Sequence, residues 1–372
     1  MKKIIEVSSD SNIGGAGKCI ITYLQNYDKS KYEVKVLLPT KSLLIPELKK
    51  LGVDIIEVSE IKDKSLDLKA ISALMKVFKE EKPDLVHSHA SMSARIAAKL
   101  SGAKVVFTRH SVFEPSPKIS KGLGKVINGM INNFFSDGII AVAEAAKDNL
   151  TKTGVNENKI RVILNGISGL TPISDEEKEL CRKRFNVGDS FVISIIARLE
   201  DIKGHDYFID AAKILLDRGV KAKFVIAGTG SYEEHLKEKV KNMGLENDIL
   251  FTGFISDVDK LMSITDLQCN ASYGTEATSI SLLEGMSLGI PAVVSDFGGN
   301  PGVIKDGING FLVPQKNAKA LADKVFDVYS DKNLYKTLSE GAKEIFKTTF
   351  TAKAMTKNTE DVYDQVINGK EL

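Results

Sequence analysis

Two apolar periods alternate along most of the chain. Short apolar runs at residues 3–8, 33–38, 53–58, 84–87, 104–108, 138–142 and 161–163 have strand length. Between them, stretches such as 68–78 and 91–100 repeat apolar residues every third or fourth position, as a helix packed on one side does. The alternation restarts at 191–197, 223–228 and 249–251, and a further short β run follows Pro291. Strands separated by helical stretches predict a parallel, doubly wound sheet, and the restart predicts a second one. Residues 169–188 are polar, contain Pro172 and include a charged helical stretch near 175–185, which suits a linker. The expected organisation is an N-terminal domain over 1–168, a linker over 169–188 and a C-terminal domain over 189–349, with helices from 317 onward.

A length of 372 residues supplies a core for each of two domains. The net charge is only +2, but residues 1–170 carry 26 Lys+Arg against 18 Asp+Glu, +8, leaving −6 for the rest. Solvated lysine-rich helices account for that excess, and an anionic membrane surface or a phosphorylated acceptor is the alternative partner. No Lys/Arg block with interleaved aromatics suggests nucleic acid. The three cysteines, Cys19, Cys181 and Cys269, are far apart, which predicts a reducing compartment and a cytoplasmic protein without a disulfide frame. Glu6 interrupts the first apolar run, so no secretory segment is expected there, and no stretch reaches the ~20 apolar residues of a spanning helix. Residues 118–135 place Ile119, Leu123, Val126, Ile127, Met130, Ile131 and Phe134 on one helical face, with Lys118, Lys121 and Lys125 off it. The favoured reading is a face packed on its own domain, with a membrane-surface helix as the alternative.

The richest chemistry lies at 272–300, SYGTEATSISLLEGMSLGIPAVVSDFGGN. Glu276 and Glu284 stand eight positions apart, and Ser279 and Ser281 mark a helix start between them. The free N–H groups and dipole of that start make an anion site at Thr278, Ser279 and Ile280. Carboxylates beside an anion site suit a ligand with a phosphate and hydroxyls, such as a nucleotide-sugar. The glycine loop at 11–17 follows a strand and opens a helix, as phosphate-binding loops do. It is not a Walker A loop, because Asn12 and Cys19 stand where Gly and Ser/Thr are needed. It is not a dinucleotide fingerprint either, because Ile20 replaces the third glycine. His87-x-His89 lacks a third metal ligand at suitable spacing, so these histidines read as hydrogen-bonded in a strand-to-loop turn. Asp257-x-Asp259 reads as a helix N-terminus rather than a metal motif.

Glu-x7-Glu followed by Gly289-Ile290-Pro291 and Gly298-Gly299-Asn300-Pro301, together with the diglycine loop and Arg198-x4-Lys203, resembles the retaining family-4 glycosyltransferases of the GT-B fold, the glycosyl transferases group 1. The resemblance covers essentially the whole chain. It implies an α/β architecture of two Rossmann-like domains, with parallel sheets facing across a donor-binding cleft and a last helix near 350–372 crossing back to the first domain. It implies that Gly15 faces the donor, that Arg198 and Lys203 hold its diphosphate, that Thr278, Ser279 and Ile280 add backbone donors, and that Glu284 binds ribose hydroxyls. Glu276 on the sugar hydroxyls and His110 near the anomeric carbon are the implied catalytic residues. The implied reaction moves a hexose with retention from a nucleotide-sugar, expected to be a UDP-sugar, to a sugar, glycan or lipid-linked acceptor of the envelope or a polysaccharide. No metal cofactor is implied, and the inner face of the membrane is an expected place of work. The chain departs from the family at Ser168, where an Asp is usual, and at Gly302, where a Glu is usual. A nucleotide-sugar epimerase of the same fold and a non-catalytic nucleotide-sugar binder are the rivals; an oxidoreductase lacks its fingerprint.

Overall fold

A computed structural model describes residues 1–11, 14–61, 66–89, 91–112 and 114–372. The chain divides into two compact units, residues 1–168 with 352–372, and residues 169–351. Each is built on one wholly parallel sheet.

The sheet of the first unit holds β1 (Lys2–Ser8), β2 (Tyr32–Pro39), β3 (Asp54–Val58), β4 (Leu85–His89), β5 (Lys104–Arg109), β6 (Gly138–Ala141) and β7 (Ile160–Val162), in the order β3-β2-β1-β4-β5-β6-β7. The order reverses between β1 and β4, the place where such sheets open a crevice beyond their carboxyl ends. Alternation along β1 sends Ile5 and Val7 into one core with Leu74, Phe78, Ala94 and Ala98, and Ile4 into another with Ile20, Tyr23 and Leu24. The second core also takes Met355, Val362, Tyr363 and Val366 from the helix Ala352–Ile367, so the end of the chain closes the face that β1 begins. Tyr363 is fully buried there, edge-on to Tyr23 and Tyr32.

The second unit holds β8 (Phe191–Ile196), β9 (Ala222–Ala227), β10 (Ile249–Gly253), β11 (Leu267–Asn270), β12 (Ala292–Ser295) and β13 (Gly310–Val313), ordered β10-β9-β8-β11-β12-β13. Its reversal falls between β8 and β11. Neither β11 nor β13 is foreseen by the periodicity. β11 reads LQCN, and both its polar side chains are buried and donate hydrogen bonds, Gln268 to the Ser281 carbonyl and Asn270 to Glu276. Residues 169–188 belong to this unit. Their helix Asp175–Arg184 starts in a capping box on Ser174, and Cys181, Phe185 and Val187 pack with Val192, Val225 and Leu261.

The helix Gly122–Phe134 reverses the packing expected from its sequence. Its apolar residues point outward: Leu123, Val126, Ile127, Met130, Ile131 and Phe134 are all exposed, Leu123 by 73% and Met130 by 66%. The polar side faces the domain instead. Asn128 donates to the Thr153 carbonyl, Asn133 donates to the Gly154 carbonyl, and Asn132 accepts from Arg95. Gly129 sits against Gly154 so closely that a Cβ would overlap the Gly154 carbonyl. Polar satisfaction at the docked side, rather than hydrophobic periodicity, therefore sets the orientation of this helix.

Candidate active site

In the second unit, the loops beyond the carboxyl ends of β8 to β12 are joined to one another by backbone hydrogen bonds. Leu199 N–H donates to Thr229, Gly228 to Gly253, Tyr273 to Ile202, and Gly299 to Glu276. The diglycine makes the last contact possible. Gly298 has φ +59°, and a Cβ on Gly299 would overlap the Ala277 carbonyl, so this loop lies flat on the segment carrying Glu276. The helix Ile280–Leu288 starts from Ser279, whose hydroxyl makes no capping bond to the backbone and instead meets Ser281 Oγ at 3.1 Å. Thr278 and Ser279 are buried at this start.

Lys203 and Glu276 meet. Lys203 Nζ lies 3.0 Å from Glu276 Oε2 and donates to the Thr275 carbonyl at 3.0 Å, with both side chains nearly buried. The same carboxylate oxygen accepts from Ser272 Oγ at 2.9 Å and Asn270 Nδ2 at 3.2 Å. Three donors on one oxygen fix the carboxylate firmly. Arg198, five residues before Lys203 in the loop after β8, is exposed, and its guanidinium makes no ion pair or hydrogen bond among the described residues. Glu284 is half-buried, one turn into the helix Ile280–Leu288. Asp257 occupies the N-cap position of the helix Val258–Ile264 and pairs with Arg184 at 2.7 Å.

In the first unit, Gly15 is the first residue of the helix Gly15–Asn26 and is exposed, with no atom of the described residues within 4 Å of where a Cβ would stand. Asn12 and Ile13 of the same loop lie outside the described residues. His110 follows β5 directly and is half-buried. Its Nε2 is 2.7 Å from His89 Nδ1, and its Nδ1 is buried without a partner among the described residues. An unsatisfied buried acceptor or donor costs about 1–3 kcal/mol, which marks this ring for notice. Burial pushes the His110 imidazole well below the usual histidine range, and His89 and His87 add to the effect. His89 is lowered for the same reasons, against the pull of Glu6.

Sequence spacing left His87 and His89 without a third partner. The fold supplies one from β1: Glu6 lies within reach of both rings. Glu6 Oε2 is 2.7 Å from His89 Nε2, and Tyr363 O–H donates to Glu6 Oε1 at 2.6 Å. His87 bridges Tyr363 OH at Nδ1 and Thr108 Oγ1 at Nε2, each at 2.6 Å. Burial works to raise the Glu6 carboxyl, but attraction to His87 and hydrogen bonds from both histidines outweigh it and hold the group well below the usual carboxylate range. The ligand atoms of Glu6, His87 and His89 lie within 4.8 Å of one another, an acceptable donor set for a divalent cation. Both nitrogens of each ring are already engaged at hydrogen-bond distances, which favours a proton network over a metal site.

Residues 176–345 match the family described as Glycosyl transferases group 1, and residues 13–168 match Glycosyltransferase Family 4. The chain is similar to the UDP-Gal:alpha-D-GlcNAc-diphosphoundecaprenol alpha-1,3-galactosyltransferase of Escherichia coli, 28% identical over 81% of each chain. It is also similar to the N-acetyl-alpha-D-glucosaminyl L-malate synthase of Bacillus anthracis, 27% identical over 82% of this chain and 81% of that one. Among solved structures, a glycosyltransferase from Rickettsia africae superposes with a TM-score of 0.84 at 22% identity, covering 98% of both chains. HepE of Anabaena, solved in complex with UDP, gives a TM-score of 0.84 at 21% identity, covering 98% of this chain and 100% of that one. Fold and matches together define a GT-B glycosyltransferase made of two Rossmann-like parallel-sheet units. Within that class the chain belongs to glycosyltransferase family 4, group 1.

Proposed function

We propose that this glycosyltransferase moves a hexose, with retention of anomeric configuration, from a UDP-sugar to a glycan or lipid-linked acceptor in envelope or polysaccharide assembly. The observation that carries the reading is the loop set around β8 and β11. One carboxylate, Glu276, is immobilised by three donors at the sheet's reversal point, with the exposed fork of Arg198 on the neighbouring loop. In this reading Glu276 accepts hydrogen bonds from sugar hydroxyls, and Arg198 and Lys203 stabilise the charge that builds on the departing nucleoside diphosphate. Thr278, Ser279 and Ile280 offer backbone N–H groups to the phosphate, Glu284 takes the ribose hydroxyls, Gly15 leaves room for the donor, and His110 contacts the donor sugar. The chemistry asks for no metal, because cationic side chains do the work of charge neutralisation. The name of the relative in E. coli, and the UDP bound to HepE, support a nucleotide-sugar donor and UDP as its nucleotide.

The outward apolar face of the helix Gly122–Phe134, flanked by Lys118, Lys121 and Lys125, supports peripheral docking on an anionic inner membrane surface, where a lipid-linked acceptor would be found. No helix of the described residues is long and apolar enough to cross a membrane.

The test is a screen of UDP-, GDP- and ADP-hexoses for nucleoside diphosphate release, with and without EDTA. Release from a UDP-sugar, unchanged by EDTA, is the expected result. Epimerised sugar in place of released nucleotide would favour the epimerase, and strict dependence on a divalent cation would overturn the metal-independent reading.

A further inference from the structure

Strands β1, β4 and β5 lie side by side, with Glu6 paired to His87, Ser8 to His89 and His89 to Thr108 in the register. Side chains two apart in a strand share a face. Glu6, His87, His89 and Thr108 therefore emerge on one face, and His110, two beyond Thr108, continues the row. The helix Ala352–Ile367 covers this face and contributes Tyr363.

We propose that Glu6 and His89 are positioning residues for His110: they fix its ring and keep its proton on Nε2, so that Nδ1 is held as a hydrogen-bond acceptor for a hydroxyl of the donor sugar. The inference rests on the reading of His110 as a residue that touches the donor. The proton order follows from the anion at one end. Glu6 accepts Tyr363 O–H on Oε1 and the His89 Nε2–H on Oε2. A neutral His89 that donates through Nε2 has only a lone pair on Nδ1. That lone pair, 2.7 Å from His110 Nε2, takes the His110 proton. The remaining nitrogen of His110 is then bare, and it is the one ring atom of the row that is buried without a partner among the described residues. The two rings also stack, with centroids 5.0 Å apart and planes 22° from parallel, which restrains His110 in rotation as well as in protonation.

The experiment pairs a spectroscopic readout with a kinetic one. The chain has five histidines, few enough for long-range 1H–15N spectra of histidine-labelled protein to report each tautomer. Wild type is expected to show His110 as the Nε2–H form alone at neutral pH. His89→Phe keeps a ring but removes both nitrogens, and is expected to mix the His110 tautomers and lower kcat about tenfold or more, with little change in donor KM. His89→Gln carries one donor and one acceptor and is expected to recover both readouts in large part. Should His89→Phe not fold, Glu6→Gln, equal in shape, removes the anion that orders the chain and is expected to show the same mixing. A single unchanged His110 tautomer in these variants, or wild-type kcat alongside mixed tautomers, would overturn the inference. Equal turnover by wild type and His110→Ala would instead overturn the reading of His110 on which it rests. Stoichiometric zinc binding that shifts the His87 and His89 signals would replace the proton network by a metal site.

Discussion

Replacing Glu276 by Gln tests the centre of the second unit with almost no change of shape. At 3.0 Å and an effective dielectric near 20, the attraction between Lys203 and Glu276 is roughly 5 kcal/mol before desolvation is subtracted. Burial of both groups cancels most of this, and a charged hydrogen bond nets about 1.5–3 kcal/mol. A Gln oxygen in the same place still accepts from Ser272 and Asn270, and Lys203 keeps the Thr275 carbonyl. Glu276→Gln is therefore expected to destabilise the second unit by about 1.5–3 kcal/mol while leaving it folded. Its effect on transfer should be larger, on the order of 100-fold or more in kcat, because a preorganised charge is lost from the reacting region. The stability term is measured by urea unfolding of wild type, Glu276→Gln, Lys203→Met and the double variant. Contacting partners should show a coupling of at least about 0.5 kcal/mol. Additive effects would refute the claim that the two groups act as one unit, and wild-type turnover in Glu276→Gln would remove it from the reaction.

Arg198→Ala is expected to raise the donor KM or lower kcat at least about tenfold, with the unfolding midpoint unchanged, because the guanidinium is exposed and bonds to nothing described; a large stability loss would contradict its assignment to the donor. His205 is buried with neither ring nitrogen bonded among the described residues, and burial pushes it down to about 4, with a smaller push from Lys203 against the pull of Asp206. Its folded pKa lies below the ordinary value near 6.5, so its stability contribution is complete above pH 6.5 and is lost as pH falls toward 4. Relative to His205→Leu, wild type should lose about 2 kcal/mol between pH 7 and pH 5 in urea unfolding, and parallel curves for the two proteins would exclude this. Leu123→Glu with Met130→Glu should weaken flotation with anionic vesicles at least about 100-fold, since each apolar side chain contributes about 1.5–3 kcal/mol on full transfer; equal flotation by both proteins would exclude the helix as the membrane contact.

The doubly wound architecture was legible because each buried parallel strand leaves an apolar run and each covering helix leaves its period. Strand β11 was not, because Gln268 and Asn270 break its apolar run, and the groups they bond, the Ser281 carbonyl and Glu276, lie on the next helix and in the loop before it. The motif around Glu276 was visible for a related reason: the loop that must press on its backbone can hold only glycine at 298 and 299, and those letters appear in the sequence. Glu6 was visible only as an interruption of an apolar run. Its partners stand 81 and 357 positions away, at His87 and Tyr363, so no local window joins them. A lone carboxylate in a central buried strand, opposite histidines spaced by two, is the signal that could have been read. The helix Gly122–Phe134 fails differently. Its period identifies an apolar face, but Asn128, Asn132 and Asn133 decide which side docks, and their acceptors and donors come from other segments.

The most direct measurement is the configuration of the transferred sugar. The UDP-α-hexose that releases UDP in the screen is incubated with the protein and an acceptor, and the anomeric proton of the product is followed by NMR from the first turnover. An α-linked product, lost in Glu276→Gln and unaffected by EDTA, is the predicted result. A β-linked first product, or α-linked transfer that persists in Glu276→Gln, would contradict it.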